Sequence, residues 1–196
     1  TLVTYAIQIQ DLVVEMENRV RSRDKISEIG FQFGAIDAAV IYLLPEILKG
    51  YLKEYSNLKL SVKVGPSRYL VEDLLQNKSE FAVISLPYTQ DDRIETVSIY
   101  RDSMPLVVGA THPFVGKTSV TLKEVIQETL ILFHNDSVSR KVVDDRFSRG
   151  GLFPRVIMEM RSPEAMRKLV EIGVGISFLP LLTIRDSLSL GTLHSV

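Results

Sequence analysis

The chain has 196 residues, 45% apolar and 24% charged, with a net charge of −1 at pH 7. This is the balance of an ordinary globular protein, with no apolar run near the ~18 residues that span a bilayer and no basic excess for a broad nucleic-acid surface. It contains no cysteine, which excludes disulfides, thiolate metal sites and cysteine nucleophiles. The histidines His112, His134 and His194 are far apart and form no H-x-x-x-H pair, so neither a zinc site nor any cofactor is expected.

Residues 1–25 have a character of their own. Leu2, Ala6, Ile9, Val13, Met16 and Val20 alternate in steps of four and three, an a/d heptad seam. Glu15 with Arg19 and Glu17 with Arg21 are i,i+4 pairs in the favoured acid-first order. Such a helix packs either on its own domain or against another chain. The strict heptad spacing, followed by the polar run Arg21-Ser-Arg-Asp-Lys25, favours a partner helix. The chain starts on Thr1 without a visible signal peptide, as expected of a piece of a longer, cytoplasmic protein.

The stretch Ile29–Arg68 reads as strand, glycine-containing turn, long helix, strand, Gly-Pro-Ser turn and the start of another helix. Two strands joined by a helix must lie parallel, ending on one edge, where open α/β sheets bind ligands. The strands are expected at about Glu28–Gly34 and Lys59–Val64. The helix between them carries Ile41, Leu44, Leu48, Leu52 and Tyr55 on one stripe, with Pro45 starting or kinking it. A helix from Ser67 to about Gln76 and a buried strand Phe81–Ser85 follow. The segment Leu86-Pro-Tyr-Thr-Gln-Asp-Asp-Arg93 reads as a crossover between lobes. Beyond it the expected elements are strands Glu95–Arg101 and Met104–Ala110 joined by a tight Asp102-Ser103 turn, a short helix near Leu122–Gln127 capped by Thr121, and strand Thr129–Phe133. A helix Ser139–Arg149 ended by Gly150-Gly151, strand Arg155–Met160, helix Glu164–Ile172, strand Ile176–Leu179 and a short helix opened by Pro180 complete the pattern. Gly191–Val196 reads as a last strand returning to the first lobe.

Four turns repeat one design of strand, short polar turn and helix start: Gly34-Ala-Ile-Asp37, Gly65-Pro-Ser67, His134-Asn-Asp-Ser137 running on to Ser139, and Arg161-Ser-Pro163. A helix start offers unpaired N–H groups and the positive end of the helix dipole to an anion. Taken singly, a serine or aspartate there is usually only a helix cap. Four such turns in two lobes would face each other across a cleft, where ligands favour binding. No serine has an evident base, and Asp144-Asp145 cannot share a helix face. Gly173-Val-Gly175 follows a helix and reads as a helix stop rather than a phosphate loop. No catalytic set is expected.

The order of these signatures resembles the effector-binding domain of LysR-type transcriptional regulators. The resemblance is carried by Gly34-Ala-Ile-Asp37, Tyr42-Leu-Leu-Pro45, Leu58-x-Leu-x-Val62 and Leu74-Leu75, then by Pro105-Leu-Val-Val-Gly-Ala-Thr-His-Pro113. Gly151-Leu-Phe-Pro-Arg155 and Val170-Glu-Ile-Gly-Val-Gly-Ile-Ser-Phe-Leu-Pro180 close the series. The heptad segment is similar to the family's dimerising linker helix. The resemblance implies an α/β fold of two Rossmann-like lobes with a hinge, of the type II periplasmic-binding-protein kind, preceded by a long helix. It assigns 26–88 and 181–196 to lobe I and 89–180 to lobe II. It also implies a small-molecule effector, such as a carboxylate or other anion, held between the lobes. A homodimer or tetramer would reach DNA through a winged helix-turn-helix outside this chain, with no membrane partner. Carried over residue by residue, effector contacts fall at Ile36, Asp37, Ala38, Pro66, Ser67, Ser85, Asn135, Ser137, Val138, Ser139 and Ser162. The family often has a hydroxyl in the first turn, where this chain has Asp37, and Arg68, Arg140 and Arg161 lie beside the turns as positive charges. A stand-alone solute-binding protein of the same architecture is the alternative reading.

Overall fold

The computed structural model describes residues 31–54, 59–87 and 91–196. The heptad segment, the first residues expected in strand one, Tyr55 and part of the crossover lie outside them. The first unit is a parallel sheet in the order β2-β1-β3, built from β1 (Phe31–Ala35), β2 (Leu60–Val64) and β3 (Ala82–Val83). Phe33, Gly34 and Ala35 are all buried, so the central strand is covered on both faces, with the Leu70 side chain close against Gly34. Phe33, Ala35, Ala39 and Leu44 form the core, with Leu48, Val62 and Val83 packed against it.

After β1 the chain makes a π-helical turn, Ala39–Leu43, and then α1 (Leu44–Glu54). The wide turn has a local cause. Leu44 N–H reaches back to the Ala39 carbonyl, and Pro45, one residue on, has no N–H with which to continue an α-helical ladder. The expected apolar stripe is divided: Leu44 is buried, whereas Ile41 and Leu52 are exposed. In α2 (Ser67–Leu75), Leu70 and Val71 are buried. β3 is shorter than expected and only half-buried, with Phe81 stacked on Phe33 at the sheet's rim.

The second unit comprises β4 (Leu106–Gly109), α3 (Leu122–Val125), β5 (Leu130–Phe133), α4 (Val138–Arg149), β6 (Val156–Met160), α5 (Pro163–Glu171), β7 (Ser177–Phe178), α6 (Leu181–Ser189) and β8 (Leu193–Ser195). β5 runs parallel to β6 and bridges to Ile176, and β4 pairs antiparallel with β7 and β8. β4 and β5 are buried on both sides, which explains their unbroken apolar sequences. Leu106, Val108, Leu130 and Leu132 pack with Val143 and Phe147 of α4. Val107, Ile131 and Phe133 turn the other way, onto Met166 and Val170 of α5 and Ile184 of α6. The expected caps form: Thr121 and Glu124 make a capping box, Ser162 caps α5 with Pro163 at its first position, and Gly173 takes φ 79° to stop it.

Two expectations are corrected here. Residues 95–101 form no strand and are exposed, Val97 at 71% and Ile99 at 61%, so no hairpin joins them to β4. Residues 181–196 belong with the second unit rather than lobe I. Leu193 and Ile184 lie in the core beside Val107, and β8 pairs with β4 through His194 opposite Val108. Burial of Leu193 against β4 is what fixes the final strand there.

Candidate functional site

The strand-end turns of the first unit converge because their strands are parallel and in register. Ala35 lies opposite both Val64 and Val83. Gly65 N–H donates to the Ala35 carbonyl (3.2 Å) and Ile36 N–H to the Val83 carbonyl (3.0 Å), so all three chains leave the sheet side by side. Ile36, Asp37 and Ala38 are half-buried there, and Asp37 has no charged partner among the described residues.

Pro66, not Ser67, is the N-cap of α2. That frees the Ser67 side chain from capping its own helix. Its Oγ instead accepts the Ser85 backbone N–H at 3.2 Å, and Ser67 is only 7% exposed. The structure thus brings together Ser67 and Ser85, which lie 18 residues apart in sequence. The hydroxyl proton of Ser67 has no acceptor among the described residues.

The second unit contributes the ends of β5 and β6, held together by the His134 N–H donating to the Met160 carbonyl (2.8 Å). His134, Asp136 and Arg161 form one cluster. Arg161 donates to both carboxylate oxygens of Asp136 (2.8 and 2.9 Å), and His134 Nδ1 lies 2.8 Å from Asp136 Oδ1. The same Nδ1 also lies 3.2 Å from Arg161 Nη2, so imidazole, carboxylate and guanidinium meet at one point. Burial pushes the Asp136 carboxyl up, but the hydrogen bonds from Arg161 and His134 outweigh it and hold it below the usual aspartate range. Ser137 and Ser162 are helix caps, accepting the N–H groups of Arg140 (3.4 Å) and Ala165 (3.3 Å). Asn135 is exposed, and Val138 and Ser139 are half-buried in the first turn of α4.

The arginines beside the turns separate into two kinds. Arg140 is fixed by Asp144 (2.8 Å), Glu159 (2.8 Å) and the Phe133 carbonyl (3.0 Å), so it braces α4 against the β5–β6 pair. Arg68 is exposed, and its guanidinium hydrogen-bonds the Tyr69 hydroxyl at 2.6 Å.

A hydrogen bond joins the units. The Tyr42 hydroxyl, on the π-helical turn, donates to Glu164 Oε2 in the first turn of α5. Burial, and then the Glu164 hydrogen bond and charge, push the Tyr42 phenol up to about 12. Sequence reasoning missed this pair, along with His134 and Asp136. The latter two stood in a turn already singled out, but a pairing across 122 residues leaves no local signal. A separate hollow of about 410 Å³, lined by residues from Lys63 to Lys78, draws on the first unit alone and is not the space between the units. Among the described residues no group of three or more His, Asp or Glu could hold a metal ion.

Comparison with known proteins agrees with this geometry. The chain is 29% identical over its whole length to the uncharacterized HTH-type transcriptional regulator YwqM of Bacillus subtilis, covering 67% of that protein. It spans about two thirds or less of the length of the curated relatives it matches. Among solved structures it is similar to the effector-binding domain of QuiR in complex with shikimate, with a TM-score of 0.73 at 22% identity over 87% of this chain and 80% of that one. The regulatory domain of CcmR from Synechocystis PCC6803, in complex with 2-PG, gives a TM-score of 0.76 at 22% identity over 84% of this chain and 78% of that one. These likenesses establish the two-lobed fold of LysR effector-binding domains. The model of the LysR substrate binding domain matches residues 31–196, nearly all of the described chain, and the chain belongs to that family.

Proposed function

We propose that the chain is the sensory part of a cytoplasmic LysR-type transcriptional regulator, and that a small polar effector binds between lobe I (about 26–88) and lobe II (from 89 onward). What supports this reading is that the units carrying the two sets of strand-end turns, Ile36–Ala38 with Ser67 and Ser85 in one and Asn135–Ser139 with Arg161 and Ser162 in the other, are joined by the Tyr42–Glu164 hydrogen bond. Ser67 offers a hydroxyl donor, Asp37 a carboxylate without a partner among the described residues, and Arg68 an exposed cation. These groups suit an effector bearing a carboxylate or hydroxyls. Closure around it shifts the hinge and so biases how a dimer or tetramer presents its DNA-binding segments, which in this reading lie outside the chain.

Catalysis is not part of the proposal. Ser67 has no base against it, and the one histidine near the turns is held by Asp136. The match to YwqM runs the full length of the chain, heptad segment included, which favours a regulator over a stand-alone solute-binding protein. Among the described residues no helix is long and apolar enough to cross a membrane.

The test is a thermal-shift screen of the chain against small carboxylates, amino acids, nucleotides and inorganic anions. A ligand at ~100 times its dissociation constant adds about 2.7 kcal/mol, which at this size raises Tm by roughly 5–11 °C. The reading expects at least one such hit. A screen without one, in a folded chain, refutes small-molecule sensing for these classes.

A further inference from the structure

One contact between the units is not explained by effector binding itself. The Tyr42 hydroxyl donates across the units to Glu164, with the Arg167 guanidinium beside it. We propose that Tyr42 and Glu164 form a latch that holds the two lobes closed, acting as positioning residues that set effector affinity without touching the effector. The affinity part of this rests on the effector-sensing reading; the latch itself does not.

The second-unit half of the latch is built before the first unit arrives. Both oxygens of Glu164 are held by Arg167. Arg167 is itself gripped from behind, donating to Glu171 Oε1 (2.6 Å) and to Ser187 Oγ (2.7 Å). Glu171 in turn accepts the hydroxyls of Ser187 (2.6 Å) and Thr192 (3.2 Å) and the ammonium of Lys168 (3.1 Å). Ser187 is 2% exposed, and the side chains of Arg167 and Glu171 are 15% and 12% exposed. A continuous polar chain therefore runs from Glu164 through α5 to α6 and the approach to β8. The Glu164 carboxylate is thereby oriented by Arg167 on both oxygens.

Tyr42 is equally constrained. It sits on the π-helical turn between buried Ala39 and buried Leu44, directly after the first-unit strand whose end carries Ile36–Ala38. A hinge opening that separates the turns by more than a side chain's reach breaks Tyr42–Glu164. On opening, Glu164 keeps Arg167 while Tyr42 exchanges a charge-assisted bond for water. Such bonds are worth enough to shift a two-state ratio by roughly tenfold or more.

The absence of cysteine makes the test direct. Lys78 of the first unit and Lys141 of the second are exposed, and K78C with K141C accepts a pair of spin labels. The distance distribution is measured without effector in this background and after adding Tyr42→Phe or Glu164→Gln. The latch predicts a roughly tenfold gain of the longer-distance population in Tyr42→Phe and a shift in the same direction in Glu164→Gln. Unchanged distances in variants that keep the near-ultraviolet signature of a folded chain overturn it. With a ligand from the screen, affinity must fall by the factor by which the closed population falls. A weakened affinity at unchanged distances also overturns the latch, since Tyr42 then contacts the ligand. If the screen yields no ligand, the distances still decide the latch, so the two readings fail separately.

Discussion

Ser67→Ala separates binding from packing at the position where the structure is most specific. Ser67 is buried, its Oγ accepts the Ser85 N–H at 3.2 Å, and its own proton is unclaimed among the described residues. The substitution removes one side-chain to backbone bond and strands an N–H on a half-buried residue that water can reach, a net loss of about 1 kcal/mol. At this chain length that lowers Tm by roughly 2–4 °C. Loss of the donated proton acts on the ligand instead. It costs about 0.5–1.5 kcal/mol against a neutral acceptor and about 1.5–3 kcal/mol against a carboxylate, or roughly threefold to above a hundredfold in Kd. Scanning fluorimetry reads the first quantity and calorimetric titration the second. Thr121→Ala is the control, because it breaks the capping box of α3 at a similar cost of about 1 kcal/mol with no contact to the turns. The reasoning fails if Ser67→Ala and Thr121→Ala both lower Tm and both keep ligand affinity within about twofold. Ser67 would then be no more than a tie between α2 and the loop after β3.

Two further outcomes test the structure at other scales. A Cβ on Gly175 would stand 2.5 Å from the Thr129 carbonyl oxygen and one on Gly50, inside α1, would meet nothing within 4 Å; Gly175→Ala is expected to cost ~3 kcal/mol and Gly50→Ala to gain about 0.5–1 kcal/mol, opposite shifts of Tm from one chemical change. The Tyr42 phenol, pushed up to about 12 from a normal 10, is expected to ionise late, and phenolate absorbance should lose that late step in Tyr42→Phe. Because the folded value is raised, the stability Tyr42 contributes is fully present below pH 10 and is lost as pH climbs from 10 to about 12.

The parallel β1–β2 unit was legible because it depends on local facts: two short apolar runs, a helix-length segment between them and a Gly-Pro-Ser turn. β4 and β5 were legible for the same reason, being apolar throughout and bounded by turns. The segment 95–101 shows the limit of such reading. Val97 and Ile99 alternate as a half-buried strand should, yet alternation reports only fitness for a sheet face and not the presence of a neighbour. β8 fails differently. Its residues are strand-like, but the sheet they join depends on where Leu193 finds a cavity, which is a property of β4, α5 and α6 together. At the candidate site, the local chemistry of the turns differs from what the sequence suggests. Ser67 looked like a helix-start serine, whereas Pro66 holds the cap and the hydroxyl is turned toward Ser85. Arg140 lies beside a turn, where it could have lent positive charge, and is instead a structural arginine fully engaged in bracing α4.

That engagement bears on how such a domain could switch. Reversing a two-state balance from 1:99 to 99:1 takes about 5.5 kcal/mol of differential binding, a heavy demand on a small effector with a few polar contacts. The structure lowers the demand by settling most charges inside one lobe beforehand: Asp136 with Arg161, Glu164 with Arg167, and Arg140 with Glu159. None of these pairs has to be desolvated afresh when the lobes meet. A Tyr42–Glu164 bond worth about 1.5–3 kcal/mol then brings the empty domain close to balance. The remaining few kcal/mol lie within reach of a ligand that satisfies the Ser67 hydroxyl and offers Asp37 a partner. On this accounting, a domain without the tyrosine hydroxyl would still bind its effector, but weakly, and saturating ligand would restore the closed distance. The device sets the concentration at which the switch turns rather than whether it can.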